Sequence, residues 1–148
     1  KEVKRKDILI TCTKDNWFEG SRSFDDCEGT RHTAKAGRFS KRSGLFNAQW
    51  VPNTTRGTNK FNKCSHVIYL YDQFTSPNVM HWLGMKNDWQ DKYALSEAVQ
   101  LIWRSRIREG KPVTVYFASQ RMFDLFNTWL NSSSSEAIEI NDLLVEAA

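Results

Sequence analysis

Short β-branched, apolar runs alternating with helix-forming stretches restrict this chain to a narrow set of architectures. Asp7-Ile8-Leu9-Ile10-Thr11-Cys12-Thr13 reads as a buried strand, bounded by Lys14-Asp15-Asn16. His66-Val67-Ile68-Tyr69-Leu70-Tyr71-Asp72 is nearly continuous in apolar character, as a strand covered on both faces should be. Val113-Thr114-Val115-Tyr116-Phe117-Ala118 is a further strand, and Phe46 to Val51 a shorter one stopped by Pro52. Between the later strands, Ala94–Arg108 places Leu95, Ala98, Val99 and Ile102 at helical spacing, with Gly110 and Pro112 ending the helix. A second helix is expected from Ser119 to about Leu130, with Met122, Phe123, Phe126, Trp129 and Leu130 as its apolar stripe. A basic helix around Thr33–Arg42 and a short one near Val79–Met85 complete the reading. Strands alternating with helices predict an α/β domain with a mainly parallel central sheet between two helical layers.

The 148 residues suffice for one domain, and 40% hydrophobic content supports a core. The division expected is a charged leader at 1–6, a domain over 7–131, and a Ser-rich joint with an acidic tail at 132–148. Trp50, Phe61 and Trp103 are expected in the core. No apolar run approaches the ~20 residues of a membrane span, and the start lacks the apolar stretch of a signal peptide. Cys12, Cys27 and Cys64 are odd in number, with no Cys-x-x-Cys, and the histidines are scattered. A disulfide scaffold and a metal site are therefore not expected, and a reducing, cytoplasmic setting is.

The net charge of +4 conceals an uneven distribution. No Asp or Glu occurs between Glu28 and Asp72, while Arg31, Lys35, Arg38, Lys41, Arg42, Arg56, Lys60 and Lys63 lie there. From Met122 onward there is no Lys or Arg. A basic stretch interleaved with Phe39, Phe46, Trp50 and Phe61 suits attraction to a phosphodiester backbone together with base stacking. Ser96, Gln100, Arg104 and Arg108 recur every four residues along one side of the expected helix, with Arg106 at its margin. Forked, permanently charged guanidinium groups suit bidentate contact to phosphate, although a solvated basic face would look the same. The turn Asn53-Thr54-Thr55-Arg56-Gly57-Thr58-Asn59 offers backbone N–H groups and small polar side chains to a phosphodiester.

The order of these parts resembles the second, C-terminal RecA-like domain of superfamily 2 helicases, most like a viral or phage form. Ile8–Thr13 with Lys14 resembles the motif IV strand, and Thr54-Thr55-Arg56-Gly57-Thr58-Asn59 resembles motif V, with Asn59 where Asp is usual. Gln100-x-x-x-Arg104 followed by Arg108-x-Gly110 resembles motif VI, with Trp103 in place of a glycine and the arginines one residue too far apart, so that Arg106 competes with Arg108. The resemblance implies a three-layer RecA-like fold. It implies a catalytic role for Gln100, Arg104 and Arg106 or Arg108, the arginines as fingers, and nucleic-acid contacts from Thr13, Lys14, Thr55, Arg56, Gly57, Thr58 and Asn59. It further implies single-stranded DNA or RNA as partner, and ATP with Mg held only through a separate N-terminal RecA-like domain. No Gly-x-x-x-x-Gly-Lys-Ser/Thr loop occurs in the chain, so hydrolysis by it alone is not expected. Three alternatives stay open. One is a stand-alone basic nucleic-acid-binding domain without catalysis. Another is a small metal-dependent nuclease using Asp25, Asp26 and Glu28 or Glu109-Gly110-Lys111. The third is a helicase-like regulator that binds protein.

Overall fold

A computed structural model describes residues 3–19, 35–52, 60–84 and 87–132, without the side chains of 87 and 88. The acidic tail beyond Ser132, the Asn53–Asn59 turn and the carboxylates Asp25, Asp26 and Glu28 all lie outside the described residues.

Strand β1 is Ile8–Thr11, β4 Gln49–Trp50, β5 His66–Tyr69 and β6 Thr114–Phe117; a separate two-stranded ribbon pairs β2, Phe18–Glu19, with β3, Lys35–Ala36. The four-stranded sheet has the order β4-β1-β5-β6 and every pairing in it is parallel. Helices α1 (Lys14–Trp17) and α2 (Arg38–Ser43) connect β1 to β4, and α3 (Pro77–Trp82) and α4 (Asn87–Ile102) connect β5 to β6. A last helix, α5, covers 120–132. The α/β class with a parallel central sheet and helices on both faces is therefore the fold. None of the described helices is long and apolar enough to cross a membrane.

Side-chain alternation along the strands divides the core in two. Leu9, Val67 and Tyr69 point to one face with Ala94, Ala98, Leu101 and Ile102 of α4 and Met122 of α5. Ile10 and Cys12 point to the other, against Trp17 and Ala48. Each fully buried Leu, Ile or Val contributes ~1.5–3 kcal/mol of burial free energy, and these positions anchor both layers.

Several sequence expectations change in detail. β5 is half-covered on one face: Val67 and Tyr69 are buried, His66 and Ile68 only partly. Helix α4 starts earlier than Ala94 and stops at Ile102 instead of Arg108. The stop has one local and one distant cause: the buried Ser105 hydroxyl donates to the Ile102 carbonyl at 2.6 Å, and the Arg106 N–H turns away to the Cys64 carbonyl at 3.1 Å. Arg106–Glu109 then forms a 3-10 turn closed by Gly110 in the left-handed region at φ 71°. The four-residue stripe Ser96–Gln100–Arg104–Arg108 is thus broken after Gln100. In α5 the inward residues are Met122, Leu125 and Phe126, while Phe123 and Leu130 are exposed. Phe61 is buried as expected, Trp50 is half-buried, and Trp103 is 52% exposed.

Candidate functional site

In a parallel sheet, ligands gather at the carboxyl ends of the strands where the chain order reverses. Here the chain runs from β1 outward to β4 and then returns to β5 on the other side of β1, so the reversal lies between β1 and β5. Thr11 and Tyr69 stand opposite each other in that register. Both are fully buried, and neither Thr11 Oγ1 nor Tyr69 Oη has a hydrogen-bond partner among the described residues. Burial, reinforced by the negative charge of Glu97, pushes the Tyr69 phenol well above its ordinary pKa.

On the β1 side, the Thr13 carbonyl accepts from the N–H groups of Asn16 at 3.1 Å and Trp17 at 3.2 Å, which turns the chain into α1. Trp17 is 2% exposed and fixes α1 against the sheet. Its carbonyl accepts from the Gly37 N–H at 2.8 Å and from the buried Ser40 hydroxyl at 2.7 Å, so α2 is pinned to α1. The fit at Gly37 is steric: a Cβ there would lie 2.7 Å from the Trp17 carbonyl carbon and 2.8 Å from Asn16 O and Phe18 N. Gly37→Ala is accordingly expected to cost about 1–3 kcal/mol by forcing α1 and α2 apart, read as a drop in the urea midpoint. An unchanged midpoint would show that this packing is not tight.

The pinned pair creates a groove of about 490 Å³ lined by Asn16, Arg38, Phe39, Arg42 and Ser43. Arg38 and Arg42 are four residues apart, hence on one face of α2. Lys41 pairs with Glu19 at 2.8 Å, a contact that holds the Glu19 carboxyl below the usual range. Arg38 and Arg42 are exposed, with no ion-pair partner among the described residues. Thr13 is exposed and Lys14 half-buried, just before the groove-lining Asn16 in the chain.

On the β5 side Arg121 organises the edge. Its Nη1 donates to Asp72 Oδ1 at 2.8 Å and to the Gln73 carbonyl at 3.1 Å, and its Nη2 donates to Asp91 Oδ1 at 2.6 Å. The guanidinium carbon sits 4.4 Å from the centre of the Phe74 ring. Burial opposes the charge of Arg121, but the bonds to Asp91 and Asp72 outweigh it and raise its pKa. The chain's last basic residue was the available signal for this hub; nothing in the sequence spacing linked it to Asp72 and Asp91.

The residues resembling motif VI fall elsewhere. Gln100 Nε2 donates to Ser96 Oγ at 3.1 Å and Arg104 Nε to the Gln100 carbonyl at 3.3 Å. Arg106 Nε donates to the Pro112 carbonyl at 2.6 Å. The Arg106 N–H reaches the carbonyl of Cys64, which precedes β5, so the turn Arg106–Glu109 lies at the amino edge of the sheet, opposite Thr13 and Lys14. Thr55, Arg56, Gly57, Thr58 and Asn59 lie outside the described residues. Glu109 and Lys111 form a surface pair at 2.6 Å at the amino edge. No cluster of three or more His, Cys, Asp or Glu able to hold a metal ion occurs among the described residues.

Comparison with known proteins gives two matches. The family model described as YonV C-terminal Rossmann-like domain matches residues 1–130. An SPbeta prophage-derived uncharacterized protein, YonV of Bacillus subtilis (strain 168), is 30% identical over 108 residues, which is 71% of this chain and 26% of the relative. The chain thus spans about a quarter of that relative's length. No solved structure matches.

Proposed function

The chain belongs to the YonV C-terminal Rossmann-like domain family, and from that footing we propose that it binds single-stranded nucleic acid through its phosphodiester backbone, without chemistry of its own, as part of a phage protein acting in host cytoplasm. One observation carries this reading: Arg38 and Arg42, on one face of α2 and exposed without ion-pair partners among the described residues, line a groove with Asn16, Phe39 and Ser43. Three arguments support a polyanionic ligand. Like charges on one helix face repel, so an anion between them relieves the repulsion. Guanidinium groups bind phosphate in forked geometry. The surrounding sequence from Gly29 to Tyr71 holds no carboxylate to repel a polyanion.

The test is salt-dependent binding of labelled single-stranded DNA and RNA oligomers by fluorescence anisotropy. Affinity should fall steeply with salt, and Arg38→Ala or Arg42→Ala should each lower the slope of log K against log salt by about 0.7, the value for one lost phosphate contact on a single strand. Binding that ignores both substitutions would place the ligand elsewhere.

A second reading, the trailing half of an ATP-driven motor, draws on the order β1, β4, β5, α4, β6 and on the contact between Gln100 and Arg104. ATP and Mg would then be held with an N-terminal RecA-like domain, and Gln100, Arg104 and Arg106 or Arg108 would face that domain from the amino edge. Nucleic-acid-stimulated ATP hydrolysis by the full gene product, abolished by Arg104→Ala with binding intact, would favour the motor. Hydrolysis indifferent to Arg104 would remove it.

A further inference from the structure

We propose that the outward face of α3 is a stacking surface for the bases of the same single strand; the inference rests on the nucleic-acid reading above. Met80 is the buried residue of α3. Val79 and Trp82 of α3, with Leu83 at its C-terminal cap, are 43%, 83% and 44% exposed. Phe74, just before the helix, is 58% exposed, with the Arg121 guanidinium over its ring. A tryptophan carries the largest apolar surface of any side chain, and folding ordinarily covers most of it. Trp82 is instead the most exposed large hydrophobic residue described.

Position and charge select the occupant. α1 leaves β1 and α3 follows β5 at the same carboxyl edge, and these two strands are hydrogen-bonded neighbours with Thr11 opposite Tyr69. The basic groove and the aromatic face therefore both belong to connections that leave the carboxyl edge, from the two strands on either side of the strand-order reversal. From Gln73 to Gly84 the chain has no Asp or Glu, and the neighbouring carboxylates of Asp72 and Asp91 are both paired with Arg121. A flat indole accepts any base by its π-face, which complements backbone contacts that carry no sequence preference. Bases paired inside a duplex are not open to such stacking, so the surface fits single strands.

The experiment compares a thymidine oligomer with an abasic oligomer of equal length and charge, on the full chain. The unaltered protein should bind the thymidine oligomer more tightly. Trp82→Ala should weaken that complex roughly 5- to 150-fold while leaving the abasic complex unchanged. Trp82→Phe should restore part of the loss, and Trp103→Ala, which removes an exposed indole at the opposite edge, should change neither. Equal weakening of both oligomers by Trp82→Ala would overturn the stacking role, as would no effect on either. If Arg42→Ala weakens both oligomers while Trp82→Ala weakens neither, this inference fails and the backbone reading stands. Failure of the unaltered chain to bind either oligomer overturns both. A dimer in sedimentation that Trp82→Ala converts to monomer, without oligomer present, would show the face to be a contact between copies and would also overturn the proposal.

Discussion

Between pH 9 and 11 the folded chain is expected to lose a large part of its stability. Burial pushes the Cys12 thiol up to about 11, outweighing a hydrogen bond from Trp50 that lowers it. Burial, aided by the Asp7 carboxylate, pushes Cys64 up to about 11 as well. Each is a neutral thiol in the fold and becomes a thiolate first in the unfolded chain, near pH 9. The stabilisation is complete below that pH and is lost as pH rises through about 11. A shift of this size corresponds to roughly 2–3 kcal/mol per thiol, and Tyr69, also raised by burial, acts in the same direction. Native domains hold only about 5–15 kcal/mol in total, so the urea midpoint should fall sharply between pH 7.5 and 10.5. Cys64→Ala should flatten the fall. A midpoint indifferent to pH over this range would mean that the thiols ionise as easily folded as unfolded. The same burial predicts slow alkylation of Cys12 and Cys64 at pH 8 until denaturant is added.

Arg121→Ala is expected to destabilise the domain by about 2–3 kcal/mol, the scale for removing charge-assisted hydrogen bonds from a partly buried network. The side chain ties Asp72 and Gln73, beyond β5, to Asp91 in the first turns of α4, and covers Phe74. Its loss leaves two carboxylates side by side without their shared counter-charge. Asp72 and Asp91 are 40% and 50% exposed, so water replaces part of what is lost, and the effect stays below that of a fully buried pair. Arg121→Lys should recover less than half, because an ammonium cannot fork between the two carboxylates and stack on Phe74 together. Hydrogen exchange should rise first in residues 70–76 and the first turns of α4. Stability equal to the unaltered chain would show that the hub merely decorates the surface.

The strands were legible because their signal is local. Ile8–Thr11, His66–Tyr69 and Thr114–Phe117 are runs of β-branched and aromatic residues whose period and flanks require no distant partner. Alternation of such runs with helices implies parallel pairing, and the sheet is parallel throughout. The end of α4 was not legible, because Ser105 is an ordinary helix residue by propensity. What ends the helix is a carbonyl forty-two positions away, at Cys64, which captures the Arg106 N–H.

The site divides the same way. An acid-free stretch carrying Arg38 and Arg42 is a property of composition, and it marks a basic region by itself. Which of those cations find a partner depends on contacts across the fold: Glu19 takes Lys41, while Arg38 and Arg42 meet no carboxylate among the described residues. Gly37 shows its importance only through the Trp17 backbone packed against it, and Arg121 only through two aspartates, 30 and 49 positions away, that strand order brings within reach. Local periodicity dictates which segments become strands and helices. The crossover that returns the chain from β4 past β1 to β5 dictates which of their ends meet, and so which charges face one another.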